Sequence, residues 1–424
     1  MEILTKQEIE RLRELGRQVA EIAADPLQQK HIQIWKGVND FHMERPALLA
    51  RDYPIFMLHH GDELVTTIRD EYFASVEEDL LLKIYEWKHM RLNRVILPEV
   101  RCHVVVQDPH FGLDETSVNA NDITSQSENA VSSAKHFDRI IDVEEDLQMI
   151  QWPRVEYDEA ATMRRYHLMK EIFDGILEVR LYGIDYFKCV PWDDLLTWMN
   201  IERGMYDFVL NPEFMHKAMR RYMDCTIARA KRYEELGLIS SNNTNTFVCT
   251  GGYGFTDTLP GPTESGIGGK LQDNWGDCAD QIMTSVSPAM CQEFAFDYEK
   301  EWTKLFHYSY YGCCERLDNK VKELETLGNL RKVSMSPFAD LRAGMEKLGN
   351  RVVVSFKPNS NYLTMDTPRY DLLEEELVNA CQWAQQYGCS LEIIMKTIIT
   401  LRGEPQRLWK WCELATEVID RFYN

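Results

Sequence analysis

The chain has 424 residues, 47 of them basic and 68 acidic, for a formal net charge of −21. Nucleic acid and anionic membranes both call for a basic face, so this balance argues against either as the main partner. With 44% hydrophobic and 11% aromatic residues the composition supports a substantial core and excludes a disordered chain.

The length admits one large domain or two to three ordinary ones. No run approaches the roughly 18 apolar residues of a membrane-spanning helix. Residues 1–15 alternate charged and apolar positions without an apolar h-region, which reads as an amphipathic helix and not as a signal peptide. The 11 cysteines have no framework spacing, so reduced thiols in a soluble, cytoplasmic protein are expected.

In chain order, the first ~45 residues read as helical and residues 46–50 as the first strand. A helix over 71–90 follows, with Phe73, Val76, Leu80, Ile84 and Trp87 at helical spacing. Residues 101–107 form a short strand. Residues 114–134 are poor in large apolar groups and read as a surface loop or excursion. An amphipathic helix covers 158–174.

From 175 onward the elements alternate: a strand at 175–182, helices from 192 to about 236, a strand within 238–250, then a Gly-rich connection. Helices at 289–306, 318–327, 340–348, 370–387 and 405–422 alternate with strands at 307–313, 330–335, 351–357 and 391–397. An eighth strand is expected near Cys249 or before Trp192. Such alternation indicates a parallel sheet, and the count favours a (β/α)8 TIM barrel. A doubly wound sheet is the runner-up, but no G-x-G-x-x-G follows an early strand. The expectation is one domain: a helical region at about 1–44, a loop-rich insertion at 108–150, and the main barrel repeats at 175–424.

Strand side chains alternate faces, so each strand splits by parity. One face carries Glu178, Arg180 and Tyr182, and another Glu392, Ile394 and Lys396. Val353, Ser355 and Lys357 share a face, as do Lys332, Ser334 and Ser336, and His307, Ser309, Tyr311, Cys313 and Glu315. A polar face is unusual for a barrel interior. A network of internal ion pairs, such as Glu178 with Lys332, would explain it without chemistry. A polar site at the C-terminal mouth explains it better, because buried charge is weak support for stability.

Cys313 and Cys314 are adjacent at an expected strand end and followed by Glu315. Thiolates plus a carboxylate could bind zinc; small packing residues are the plain alternative. Residues 251–276 hold 8 of the 22 glycines. They read as a lid carrying Tyr253, Asp257 and Trp275 toward substrate, or as an exposed loop. Gly269-Lys270 is followed by Leu271, so this is no Walker A loop. His59-His60 and Cys102-His103 lack ligand spacing to a second cluster and read as ordinary positions.

Several stretches resemble the uroporphyrinogen decarboxylase-like superfamily, in an uncharacterised branch. They are Asn39-Asp-Phe-His-Met-Glu-Arg-Pro, Trp192-Asp-Asp-Leu, Gly251-Gly-Tyr-Gly-Phe-Thr-Asp, Tyr310-Tyr-Gly-Cys-Cys-Glu-Arg-Leu-Asp-Asn-Lys, Asn329-Leu-Arg-Lys-Val-Ser-Met-Ser-Pro, Ser355-Phe-Lys-Pro-Asn and Glu392-Ile-Ile-Met-Lys-Thr. The resemblance spans about residues 32–422 and implies a TIM barrel with its site at the C-terminal mouth. It also implies one of two chemistries. Tetrapyrrole decarboxylation needs an Arg-Gln-Ala-Gly-Arg type of motif, which is absent after Pro46. Zinc- and corrinoid-dependent methyl transfer uses His-x-Cys plus a Cys on the last strand. Here Tyr311-Gly-Cys313 replaces the first, and Lys396-Thr397 stands at the second.

The leading expectation is thus a methyltransferase moving a methyl group between a small methylated substrate and a corrinoid (cobalamin) protein or thiol acceptor, or a demethylase. Zinc would sit on Cys313 with Cys314 or Glu315. Glu392, Lys396 and Tyr311 are the catalytic candidates. Arg180, Tyr182, Asn243, Tyr253, Asp257, Trp275, Lys357 and Asn359 are the substrate-binding candidates. A metal-free decarboxylase or lyase using Lys357, Lys396 and Arg180, and a non-catalytic binding barrel, are the alternatives. Any corrinoid would arrive on another chain or free. Residues 114–134 and 251–276 are alternative candidates for the interface of a homo-oligomer.

Overall fold

Short runs such as Ala47-Leu-Leu-Ala50 and Val353-Val-Ser-Phe356 are buried at every position, as strands covered on both faces must be. A computed structural model describes residues 4–59, 61–113, 117–119 and 135–423. Its main strands are β1 (Ala47–Ala50), β2 (Glu99–His103), β3 (Glu178–Tyr182), β4 (Lys188–Cys189), β5 (Trp275–Cys278), β6 (Tyr308–Tyr311), β7 (Leu330–Met335), β8 (Val353–Phe356) and β9 (Ser390–Met395). Seven of them form one parallel sheet in the order β1-β9-β8-β7-β6-β5-β4.

β2 and β3 pair with each other, also in parallel. Asn93 links β1 to the segment leading into β2: its backbone N–H donates to Leu48 O at 3.0 Å, and its side-chain oxygen accepts from Leu48 N at 2.8 Å. Ile184, between β3 and β4, bridges Ile239. The fold is α/β with a parallel sheet, and among the described residues the strand ladder does not run on into a closed ring.

The expected extra strand before Trp192 is β4, two residues long. The strand expected within 238–250 shrinks to isolated bridges at Ile239 and Phe247, because side chains replace the ladder there. Asn242 Nδ2 donates to Asp185 O and Trp275 O at 3.0 and 2.8 Å. β5 begins within the stretch expected to be a lid, so that expectation needs correction: Tyr253 and Trp275 are 2% and 1% exposed.

The helices expected from 192 to about 236 number three, Pro191–Met199, Ile201–Leu210 and Pro212–Glu235. Asn200, at φ +66°, and Pro212 make the breaks. A π-turn at Gln292–Phe296 interrupts the expected helix 289–306. Tyr370–Tyr387 and Leu330–Met335 have the expected bounds. Most of 114–134 lies outside the described residues, as does His60; residues 117–119 pair antiparallel with 135–137. Among the described residues no helix is long and apolar enough to cross a membrane.

The two faces of the sheet differ as parity predicts along β7, β8 and β9, but not along β6, where Tyr311 joins the helix-side core. Leu48, Val333, Met335, Val354, Phe356, Leu391, Ile393 and Met395 join the large core shared with the helices. Ala47, Leu49, Val353 and Ile394 face the other way, onto Trp35 of helix Leu27–Asn39 and onto Tyr253 and Phe255. Residues 243–258 form a hairpin on this inner face, with Phe247 bridged antiparallel to Tyr253, and its second arm, 250–258, runs down against the strand direction. Cys249 Sγ and Thr250 Oγ1 contact Gly312 O, just past the end of β6. Trp275 Nε1, at the start of β5, donates to Gly254 O at 3.0 Å. Thr258 Oγ1 reaches Tyr308 OH, at the start of β6, at 2.8 Å.

Candidate active site

Three turns bring the polar ends of the inner face together. β6 stops at Gly312, whose φ of +103° favours glycine and whose hypothetical Cβ would meet Leu317 Cδ1 at 2.4 Å. That turn sends Cys313 and Cys314 across the mouth. β9 runs out at Lys396, followed by Thr397 at φ +57°. Lys357 follows β8. These residues line a pocket of about 100 Å³ with Pro337, Phe338 and Asn359.

The thiols and the ammonium are in contact. Lys396 Nζ is 3.1 Å from Cys313 Sγ and 3.9 Å from Cys314 Sγ, and the two sulfurs are 3.5 Å apart. Two thiols this close share one negative charge. A hydrogen bond from Cys313 favours the Cys314 thiolate; burial opposes it and the Lys396 charge favours it, which brings Cys314 down to about 6. Cys313 is correspondingly pushed up by that same bond and by burial. Burial works against the Lys396 charge, but the two sulfurs outweigh it and raise its pKa.

Glu315 does not join the sulfurs. Its carboxylate accepts from Cys313 N at 2.7 Å and Asp280 N at 3.4 Å, and burial pushes it up to about 7. Zinc needs at least three protein donors. Here the carboxylate is committed to backbone amides, and an ammonium abuts the sulfurs where a further ligand would stand. Among the described residues no three His, Cys, Asp or Glu side chains converge as a metal-holding group. The donor set does not fit the expected zinc.

Beneath the mouth lies a fully buried charge network. Glu392 Oε2 accepts from Lys332 Nζ at 2.8 Å, and Oε1 accepts from Gly252 N at 3.1 Å and Ser355 Oγ at 2.5 Å. Burial raises its pKa, but the Lys332 and Lys357 charges outweigh that and leave it low and ionised. Glu392 is therefore an anchoring anion. The partner assigned to Lys332 from the strand faces, Glu178, instead pairs with Arg180. Lys357 Nζ bonds Tyr310 OH at 2.9 Å and Ser355 O at 3.0 Å and also contacts Ser355 Oγ. Burial, opposed by Glu392 and reinforced by Lys396, brings it down to about 7.

The other candidates are dispersed. Tyr311 faces the helix side, its hydroxyl on Glu299 at 3.4 Å and its ring against Phe296; the neighbouring Tyr310 takes the inner face. Arg180 is held by Glu178 at 3.0 Å and Glu99 at 3.6 Å. Asn243 spans the inner segment, donating to Leu259 O at 2.8 Å and accepting from Thr256 N at 2.8 Å. Asp257 pairs with Lys36 at 2.5 Å beside the strand starts, the opposite end from the thiols. Tyr253 gives its carbonyl to Asn39 and Lys332.

Tyr182 belongs to a second cavity of about 550 Å³ between β1 and β2, lined by Arg51, Glu86, Arg94, Arg101 and Phe247. Its guanidiniums are committed: Arg94 to Glu86, Arg101 to Tyr182 and Asn245, Arg51 to Asp52 and to the carbonyls of Cys249 and Gly251. Reasoning from sequence missed Tyr310 and the acids behind the mouth. Asp280 and Glu299 meet there carboxyl to carboxyl, both pushed up by burial, Glu299 to about 8. The Tyr-Tyr pair was the available signal for Tyr310; nothing local marks the acids.

No family model and no curated protein matches the chain. Among solved structures it is similar to a methyltransferase from Methanosarcina mazei, at 10% identity and a TM-score of 0.48, over 93% of this chain and 99% of that one.

Proposed function

We propose that the chain is a methyl-transferring enzyme of (β/α)8 barrel type, with its reaction at the Cys313–Cys314–Lys396 mouth. The observation that carries this reading is the single ammonium facing two thiols at the C-terminal strand ends, the end where barrel enzymes do their chemistry. The sequence stretches quoted above support the same assignment. β2 and β3 complete the barrel on this reading, with Asn93 and Ile184 marking the joins.

The thiolate attacks the methyl carbon of a small methylated donor. The carbon–sulfur bond forms as the bond to the leaving atom breaks, and that atom keeps the electron pair. Lys396 holds the sulfur ionised beforehand, and Asn359 at the pocket rim orients the donor. The thiolate is restored when the methyl passes to a thiol or to a corrinoid protein on another chain.

The test uses methyl donors carrying a heavy isotope, with peptide mass spectrometry of Cys313–Cys314 and the absorbance of added cob(I)alamin. Label on this peptide that chases to the acceptor supports the reading. Turnover that survives replacement of both cysteines by serine sinks it.

A further inference from the structure

A second nucleophile lies under the same pocket, built from different atoms. Lys357 is 2% exposed, and its Nζ lies at the end of an inner-face chain running Glu392, Ser355, Lys357 and Tyr310. Its three neighbours are all neutral oxygens: Tyr310 OH, Ser355 O and Ser355 Oγ. Among the described residues no carboxylate touches it. The nearest, Glu392, is satisfied by Lys332, Gly252 N and Ser355 Oγ. An ammonium with no counter-ion in contact, and a second ammonium close by on Lys396, is the arrangement that frees a lysine amine for attack on a carbonyl.

The hydrogen-bonding geometry serves both protonation states. The three oxygens accept from an ammonium. In the amine, two N–H groups remain on Ser355 O and Oγ, and the Tyr310 hydroxyl turns its hydrogen to the lone pair. Tyr310 also contacts Thr250 Oγ1 at 3.1 Å and Ser355 Oγ at 3.2 Å, so its proton has a path in either direction. The groups facing Lys357 are therefore Tyr310 on β6, Ser355 on its own strand, and, by charge, Glu392 and Lys396 on β9 with Cys313 and Cys249 beyond.

We propose that Lys357 forms an imine with a small aldehyde, ketone or 2-oxo acid entering the pocket it shares with Asn359 and Lys396, with Tyr310 as proton donor and acceptor. The amine nitrogen bonds the carbonyl carbon, and the carbonyl oxygen takes a proton from Tyr310 OH. The second amine proton returns to Tyr310, and the hydroxyl leaves as water with one further proton passed through it. One amine and one carbonyl thus give one imine and one water, with no oxidant or reductant. Lys396 lies at the pocket wall to receive a substrate carboxylate, which makes 2-oxo acids the preferred class. This activity does not depend on the thiols and survives the failure of the methyl-transfer reading.

The experiment incubates the protein with pyruvate or acetone at pH 7, adds sodium cyanoborohydride, and maps the reduced adduct by peptide mass spectrometry. An ordinary lysine has about one amine in 10³ at that pH, so labelling of Lys357 is expected to exceed that of exposed lysines at least about tenfold, with pyruvate above acetone. The pH profile of labelling should have its midpoint near 7. Lys357→Met should remove this adduct, Tyr310→Phe should slow it, and a variant with both Cys313 and Cys314 as serine should keep it. Label spread over surface lysines, or a wild-type midpoint above 10, overturns the proposal. The wild-type profile decides even where Lys357→Met fails to fold.

Discussion

Lys396 Nζ lies 3.1 Å from Cys313 Sγ, at the junction where the last strand meets the turn after β6. A fixed positive charge thus stands against two thiols at the end of the last strand. The pair keeps a sulfur anionic, and its consequences can be measured.

The rate of alkylation by iodoacetamide should follow an ionisation near 6, because Cys314 is lowered to about that value. Below it the thiolate takes up its proton and the reaction slows. Lys396→Met removes the favourable charge, so the midpoint should move up by about a unit or more. An unchanged profile would mean that Lys396 does not stabilise the sulfur.

Adding zinc, or stripping metals with a chelator, should leave the melting temperature within about a degree. A ligand that binds the folded state raises stability in proportion to its affinity, and Glu315 is unavailable to complete a site. A zinc-dependent rise of several degrees, absent in Cys313→Ser, would contradict this.

The Lys332–Glu392 pair is 0% exposed on both sides. Removing one partner strands the other charge in the interior, so Lys332→Met should cost about 3–5 kcal/mol in urea unfolding. Lys332→Met with Glu392→Gln should recover part of that loss.

The acids behind the mouth give a pH dependence of fixed sign. Glu299, and Asp277 on the neighbouring strand β5, are each raised to about 8 by burial, so the folded state holds protons that the unfolded chain releases near 4. Their contribution is fully present below the unfolded value and lost as pH rises through about 8. Glu299→Gln should therefore flatten the decline between pH 4 and 8 and gain at least about 1 kcal/mol over wild type at pH 9. A steeper decline in the variant would refute the assignment.

The alternation of faces was legible wherever a strand has one plainly apolar side. Leu391, Ile393 and Met395 against Glu392, Ile394 and Lys396 is such a case, and it brought Lys357 and Lys396 to one mouth before any coordinates. β6 is different. Parity set Tyr311 on the polar face with His307 and Ser309, but Tyr308-Ser-Tyr-Tyr311 is amphipathic on both sides; Tyr310 takes the inner face instead, and Gly312 resets the count before Cys313. The inner segment was illegible for another reason. Its glycines suggested mobility, yet Gly252 is needed because a Cβ there would come within 2.1 Å of Trp35 Cη2. Gly252→Ala should cost about 1–3 kcal/mol through that clash.

The path of residues 243–258 along the inner face also constrains the order of assembly. β1 pairs with β9 between Ala47 and Glu392, 392 − 47 = 345 positions apart, and the inner segment is laid against Glu392 from the middle of the chain. Pairings of such sequence separation are slow to form. A fragment lacking β9 would leave β1 without its strand partner and Lys332 without its anion, so the chain offers no natural point of truncation within the sheet, and its two ends must both be present before the interior can be sealed.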